Sequence, residues 1–284
     1  MALENPPPAF GDLGKSANDL FSKGFNFGFF TVDASTKTDT NISFASNVSA
    51  EQKTGHVDGS LETKYKCPDY GLTLTEKWTT DNSLATNISV EDHFAKGVKV
   101  GIDTKFTPQS GDKTAKAKGA FKKDFINAQA DVDLNGMVTA SAVGGYKNML
   151  VGYQVGFDGP NQRVTTSNIA GEYAGDNFTL FAGVNKGTDF YASVYQKVNP
   201  HLEAGVQLDW ASGSNNNTKF GLGAKYTIDD DSVFKGKITN ASQIGMSYQQ
   251  KFREGITFTF CSLIEGKTLN QGGHKVGLGV EFEA

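Results

Sequence analysis

From about Phe25 to the last residue, apolar and polar side chains alternate in short runs separated by clusters of Gly, Asn, Asp and Pro. That period of two is the mark of strands with one apolar and one wet face. Val98, Val100, Ile102 and Phe106 stand against Lys99, Asp103 and Lys105, and Ile126, Ala128, Ala130, Val132 and Leu134 against Asn127, Gln129, Asp131 and Asp133. The alternation continues through Ala204, Val206, Leu208 and Trp210, through Phe220, Leu222, Ala224, Tyr226 and Ile228, and through Val276, Leu278, Val280 and Phe282. Turns such as Pro108-Gln109-Ser110-Gly111 and Asp229-Asp230-Asp231 cut the runs apart. The 33 glycines beside 7 prolines, and 21 Phe and 9 Tyr beside 4 Met, suit many strands joined by tight turns better than a helical bundle. Roughly 260 residues in strand-plus-turn units of roughly 12 to 15 give something near 17 to 21 strands of bilayer-spanning length.

No stretch of 18 apolar residues exists, which excludes a transmembrane helix but not a barrel, whose strands score as polar. A closed sheet of this size has a lumen too wide for side chains to fill, so its apolar face must look outward to lipid. The soluble alternative, propeller blades or two packed sheets, finds no blade-length repeat. Residues 25–284 are thus expected to form a transmembrane β-barrel and 1–24 an N-terminal segment of another kind. In that segment Phe10, Leu13, Ala17, Leu20 and Phe21 fall at helical spacing, opposed by Asp12, Lys15, Ser16, Asp19 and Lys23. The spacing predicts one amphipathic helix of about a dozen residues, too short to be stable without a surface to lie on. The barrel wall inside the lumen and the membrane surface are the two candidates. Gly24 is placed to stop the helix and Gly28 to loosen its link to the first strand.

A net charge of −4 gives no reason to expect nucleic acid as a specific partner. The N-terminus lacks the apolar core of a secretory signal, so the chain is expected to stay inside the cell. Cys67 and Cys261 read as isolated thiols, which fits a reducing compartment. His56, His93, His201 and His274 are scattered without metal-ligand spacing, and no Ser/His/Asp set can be assembled, so no metal, required cofactor or enzyme activity is expected. Asp131-Val132-Asp133-Leu134-Asn135-Gly136 opens like a calcium loop but has Ala142 where a bidentate Glu is needed, and reads as strand and turn.

Three runs in order, Asp12-Leu13-Gly14-Lys15-Ser16-Ala17, Gly71-Leu72-Thr73-Leu74-Thr75-Glu76-Lys77-Trp78 and Gly272-Gly273-His274-Lys275-Val276-Gly277-Leu278-Gly279-Val280-Glu281-Phe282, resemble the mitochondrial voltage-dependent anion channels of the eukaryotic porin family. Tyr195-Gln196-Lys197-Val198-Asn199 and Ala224-Lys225-Tyr226 extend the resemblance along the chain. It implies about 19 strands, a count that belongs to the family and is not fixed by the spacing of the runs. The first and last strands would then be parallel and the short helix would lie inside the lumen. The resemblance also implies a voltage-gated, weakly anion-selective pore of the mitochondrial outer membrane that passes metabolite anions and nucleotides.

On the polar faces that can be phased, Lys64, Lys66, Lys77, Lys99, Lys105, Lys116, Lys118, Lys225, Lys235, Lys237 and Lys251 face Glu62, Asp103, Asp131, Asp133, Glu203, Asp209 and Glu281. The lumen is therefore expected to be net basic, with selectivity kept weak by screening beyond about 8 Å at physiological salt. Glu76 shares its side of a strand with Tyr70, Leu72, Leu74 and Trp78, so a carboxylate should face lipid; the two readings are a partner-docking or gating element and a tolerated charge snorkelling to headgroups. The resemblance ties the matching glutamate to hexokinase docking and adds apoptosis regulators and a possible homo-oligomer as partners. It also carries contacts for ATP onto Lys15 and Lys23, and for NAD onto Gln243, Ile244, Gly245, Cys261, Ser262, Leu263, Ile264 and Glu265, as weak transit sites. Lys15, Asp19 and Lys23, or lysines on a deforming wall, are the candidate voltage-sensing charges, with Gly24 and Gly28 as the hinge.

Overall fold

The computed structural model describes residues 6–212, 218–270 and 272–284, so the first five residues of the N-terminal segment lie outside it. The strands are β1 (Phe29–Lys37), β2 (Ile42–Glu51), β3 (Val57–Cys67), β4 (Leu72–Thr79), β5 (Leu84–Glu91), β6 (Val98–Thr107), β7 (Asp112–Lys123), β8 (Ile126–Asp133), β9 (Met137–Tyr146), β10 (Met149–Asp158), β11 (Arg163–Ala174), β12 (Phe178–Asn185), β13 (Asp189–Asn199), β14 (Leu202–Ala211), β15 (Thr218–Asp229), β16 (Ser232–Thr239), β17 (Gln243–Arg253), β18 (Ile256–Glu265) and β19 (Lys275–Glu283). Each pairs antiparallel with its neighbours in sequence, and one seam closes the ring: β1 runs parallel to β19, with Phe30 opposite Leu278 and Ser35 opposite Glu283. These 19 strands among the described residues form one closed sheet, as anticipated. No described helix is long and apolar enough to cross a membrane.

Closure matters physically because an open sheet edge in lipid would leave unpaired N–H and C=O groups that nothing there can satisfy. Directly paired residues share a face, so the register can be followed from strand to strand around the barrel. Lys77 pairs with Glu62 and Ala85, Ala85 with Lys105, and Asp103 with Lys116. Further round, Glu203 pairs with Lys225, Lys225 with Lys235, and Lys237 with Gly245. The complementary face carries Val100, Ile102, Leu222, Ile238 and Phe260, which protrude from the wall and have no protein to pack against. The orientation deduced from strand number therefore holds.

Two sequence expectations are corrected. The N-terminal helix is not continuous: a 3-10 turn at Phe10–Asp12 is separated from α1 (Lys15–Ser22) by Leu13 in extended conformation and Gly14 in the left-handed region at φ 73°. The apolar spacing survives the break because Phe10 and Leu13 seat on the wall one turn away from Ala17, Leu20 and Phe21. The first strand starts at Phe29 rather than near Phe25, because residues 25–28 are a linker whose own backbone is held from the wall. Gly24 and Gly28 both have positive φ there, at 81° and 82°.

Candidate functional site

In a barrel with lipid outside and water inside, the packed core sits where the N-terminal segment meets the lumenal wall. Leu13, Val143 and Ala170 form a buried cluster joined by Phe10, Leu150 and Phe181, and Ala17, Leu20 and Phe21 are buried further along α1. Alternation alone hid this seat, since Val143, Leu150 and Phe181 are apolar residues on the otherwise wet face. Wall glycines let the segment approach closely. A Cβ at Gly152 would lie 2.7 Å from Phe10, at Gly205 2.8 Å from Leu20, at Gly223 2.9 Å from Phe21, and at Gly245 2.8 Å from Phe27. Four separate strands thus withhold a side chain where the helix and its linker lie.

Polar groups fix the two ends of α1. At its start, the Gly14 N–H donates to Glu172 Oε2 at 2.6 Å. At its end, Lys237 Nζ donates to the Phe21 carbonyl at 2.7 Å, Lys235 Nζ to the Lys23 carbonyl at 3.1 Å, and Ser247 Oγ to the Gly24 carbonyl at 2.7 Å. The Lys237 ammonium also lies 4.2 Å from the centre of the Phe25 ring and 5.2 Å from that of Phe27. The linker is tied beyond this point by the Gly28 N–H, which donates to the Val276 carbonyl at 2.9 Å. Gly28 thus has a hinge's backbone conformation but a fixed outer end. Nearer the start of the chain, Asn127 Nδ2 donates to the Pro7 carbonyl at 3.0 Å.

The charged residues singled out from sequence fall where their phase placed them, and three of the wall lysines are in ion pairs. Lys118 lies 2.5 Å from Asp103, Lys225 3.0 Å from Glu203, and Lys99 3.4 Å from Glu91. On the helix, Lys23 pairs with Asp19 at 2.6 Å and Lys15 with Asp12 at 3.4 Å. Following the register corrects the expected basic excess. It adds Lys37, Lys122, Lys197, Lys219 and Lys275 to the lumenal face, but also Asp33, Glu51, Asp58, Glu91, Asp112, Asp158, Glu172, Asp189, Glu265 and Glu283. The wall comes close to charge balance, because most of the missing acids lie on strands that could not be phased from sequence, and Asp58 and Glu283 lie at the ends of β3 and β19, outside the runs that could. What remains basic is local: Lys235 and Lys237 adjoin the C-terminal end of α1, with Lys225, itself paired to Glu203, directly opposite Lys235.

Glu76 lies on the outer face of β4, exposed, between Thr63 of β3 and Thr86 of β5, with Trp78 beside it. The eight positions carried over for NAD divide between two faces. Gln243, Gly245, Cys261, Leu263 and Glu265 turn inward, and Gln243 Nε2 donates to Glu265 Oε1 at 2.7 Å. Ile244, Ser262 and Ile264 turn outward, because neighbours along a strand must, so their side chains cannot meet a lumenal ligand. Gln243, Gly245 and Leu263 instead line a cavity of about 540 Å³ with Phe21, Phe27, Lys237 and Asn240, between helix and wall. Cys261 is 1% exposed and lies beneath the linker at Asn26; Cys67 is half-buried, and neither forms a disulfide. Among the described residues no group of side chains could hold a metal ion. Sequence reasoning missed Glu172, Ser247 and the glycine seat, since their roles depend on which strands lie opposite the helix.

A family model described as "Eukaryotic porin" matches residues 6–277. The "Voltage-dependent anion-selective channel" of Drosophila melanogaster is 49% identical over 281 residues, covering 98% of this chain and 99% of that one. The "Non-selective voltage-gated ion channel VDAC1" of Rattus norvegicus is 48% identical with the same coverage. Among solved structures, a multiply substituted Rh. blastica porin superposes with a TM-score of 0.53 at 11% identity, covering 74% of this chain and 91% of that one, which is a likeness of fold alone.

Proposed function

The chain belongs to the eukaryotic porin family, and on that premise we propose that it is a voltage-gated, weakly anion-selective pore of the mitochondrial outer membrane, passing ions, small metabolites and nucleotides by diffusion. It is a channel rather than an enzyme. The observation that carries the reading is the two-faced wall: a closed sheet with unpartnered apolar side chains outside and ionised ones inside is stable only with lipid on one side and water on the other.

Near charge balance supports weak selectivity, since opposite charges a few ångströms apart cancel at the range over which a wide aqueous lumen transmits a field. Local preference for anions comes from Lys235 and Lys237 beside the helix, where the lumen is narrowed by α1. Nucleotides such as ATP and NAD make weak transit contacts there, their phosphates with Lys23 and Lys237 and their rings in the cavity of Phe21, Phe27, Gln243 and Leu263. Lys15 keeps its place in that reading at the other end of α1. Outside, Glu76 is a charge in lipid that serves docking of hexokinase or of an apoptosis regulator, or contact with a second copy of the chain. Voltage acts on whatever charge moves, at about 2.3 kcal/mol per elementary charge per 100 mV.

Reconstitution of the purified protein in a planar bilayer tests the proposal. Stepwise conductance that falls at high voltage of either sign, with a reversal potential displaced toward the anion under a salt gradient, is the expected result. A barrel that inserts without conducting, or that prefers cations, overturns it.

A further inference from the structure

Glu172 stands on β11 directly opposite Leu150 of β10 and Phe181 of β12, beside Ala170 and Val143. Among the described residues it is the one acid set within the apolar patch of Val143, Leu150, Ala170 and Phe181 that the N-terminal segment covers. A carboxylate placed there loses water and needs a partner. Among the described residues no lysine or arginine pairs with it; its partner is the Gly14 N–H at 2.6 Å. Gly14 precedes the first residue of α1 and has no side chain with which to cap the helix, and Phe181 packs so closely that a Cβ would lie 2.5 Å from its ring. The first N–H groups of a helix lack partners within it and carry the positive end of its dipole. Here the cap comes from the wall. The opposite end shows the complementary arrangement, with two ammonium groups and one hydroxyl donating to the carbonyls of Phe21, Lys23 and Gly24.

We propose that Glu172 is a positioning residue of the pore: its carboxylate caps α1 from the stretch of wall on which the segment lies and holds the N-terminal half of the helix there independently of the lysine and serine donors that hold the other end. The two ends therefore release separately. Loss of Glu172 leaves residues 10–17 held only by their apolar contacts with the wall, so they loosen while the linker stays tied to β16, β17 and β19. The inference rests on the pore reading only in placing the helix in the path of conduction; its test measures docking whether or not the barrel conducts.

Two single-thiol proteins in liposomes read the two ends. In one, Cys67→Ser leaves Cys261, which is 1% exposed beneath Asn26. In the other, Cys67→Ser and Cys261→Ser are combined with Ala17→Cys, at a position 4% exposed on the wall-facing side of α1. Modification rates by N-ethylmaleimide are compared with and without Glu172→Ala. A hydrogen bond to a charged acceptor corresponds to about tenfold or more in the docked-to-free ratio. The rate at Ala17→Cys is expected to rise about tenfold, and that at Cys261 to change less than about twofold on the same scale. Glu172→Gln, whose amide oxygen still accepts, should restore most of the protection at neutral strength. Glu172→Asp keeps the charge but withdraws it by a methylene, so it should also speed Ala17→Cys, and it serves if the alanine variant does not assemble. An unchanged rate at Ala17→Cys in both the alanine and aspartate variants overturns the assignment of Glu172. Both thiols speeding together overturns the independence of the two ends.

Discussion

Replacing Leu222 by arginine tests the orientation of the wall in the most direct way. Leu222 is the fifth of twelve residues in β15, lies opposite Val206 and Ile238, and is 48% exposed on the outer face. At a rise of about 3.4 Å per residue and a tilt of about 45°, β15 covers about 28 Å of depth and Leu222 falls within about 4 Å of its middle. An arginine at that depth costs about 2–4 kcal/mol on a lipid-facing surface. Gln207, next along β14 to Val206, points into the lumen at nearly the same depth, and arginine there remains in water. Its expected effect is within about 0.5 kcal/mol, as for an ordinary surface substitution. Equilibrium urea titration of the protein folding into lipid vesicles, followed by tryptophan fluorescence, gives both values from the shift in midpoint at constant slope. The reasoning is refuted if Gln207→Arg destabilises as much as Leu222→Arg or more, since that ordering would put lipid where the structure has water.

Gly205→Ala introduces a Cβ 2.8 Å from the end of the Leu20 side chain and 3.1 Å from the Val194 carbonyl of the next strand; the latter is a tight contact the wall keeps, and Leu20, with α1, is what must shift. An overpacking cost of about 1–3 kcal/mol should appear as a displaced closing voltage, with barrel stability unchanged by urea titration. Lys237→Met keeps an unbranched side chain of similar length but removes the ammonium that lies over Phe25 and Phe27 and donates to the Phe21 carbonyl; the reversal potential should move toward zero as local anion preference falls. Glu76→Gln removes a charge from lipid, so the barrel should become more stable in vesicles while hexokinase docking weakens; docking at wild-type strength would remove Glu76 from that role. In the turn between β4 and β5, the Thr79 hydroxyl, with the hydroxyl and N–H of Ser83, holds the Asp81 carboxyl below the usual carboxylate range. A depressed value stabilises the folded state above the unfolded value, and the contribution is lost as pH falls through the folded one. The urea midpoints of wild type and Asp81→Asn should therefore differ at neutral pH and converge below about pH 4.

Period-two alternation, the absence of a long apolar run and the length of the chain were enough to define a closed sheet of about the right strand number and to say which face meets lipid. Those are properties each strand carries alone: side chains alternate because the backbone does, and a wide barrel cannot pack an apolar interior. The amphipathic spacing from Phe10 to Phe21 likewise announced a segment in search of a surface. Only the tertiary structure decided which surface, because the seat is assembled from Gly152, Val143, Ala170, Phe181, Gly205 and Gly223 on different strands, none unusual in its own sequence context. It also divided the carried-over nucleotide residues between lumen and lipid, brought the lumenal charges toward balance, and set Glu172 opposite Gly14, 158 residues away in the chain. Hydrogen bonds and ion pairs form between side chains that strand register brings together, and register is a property of the closed ring.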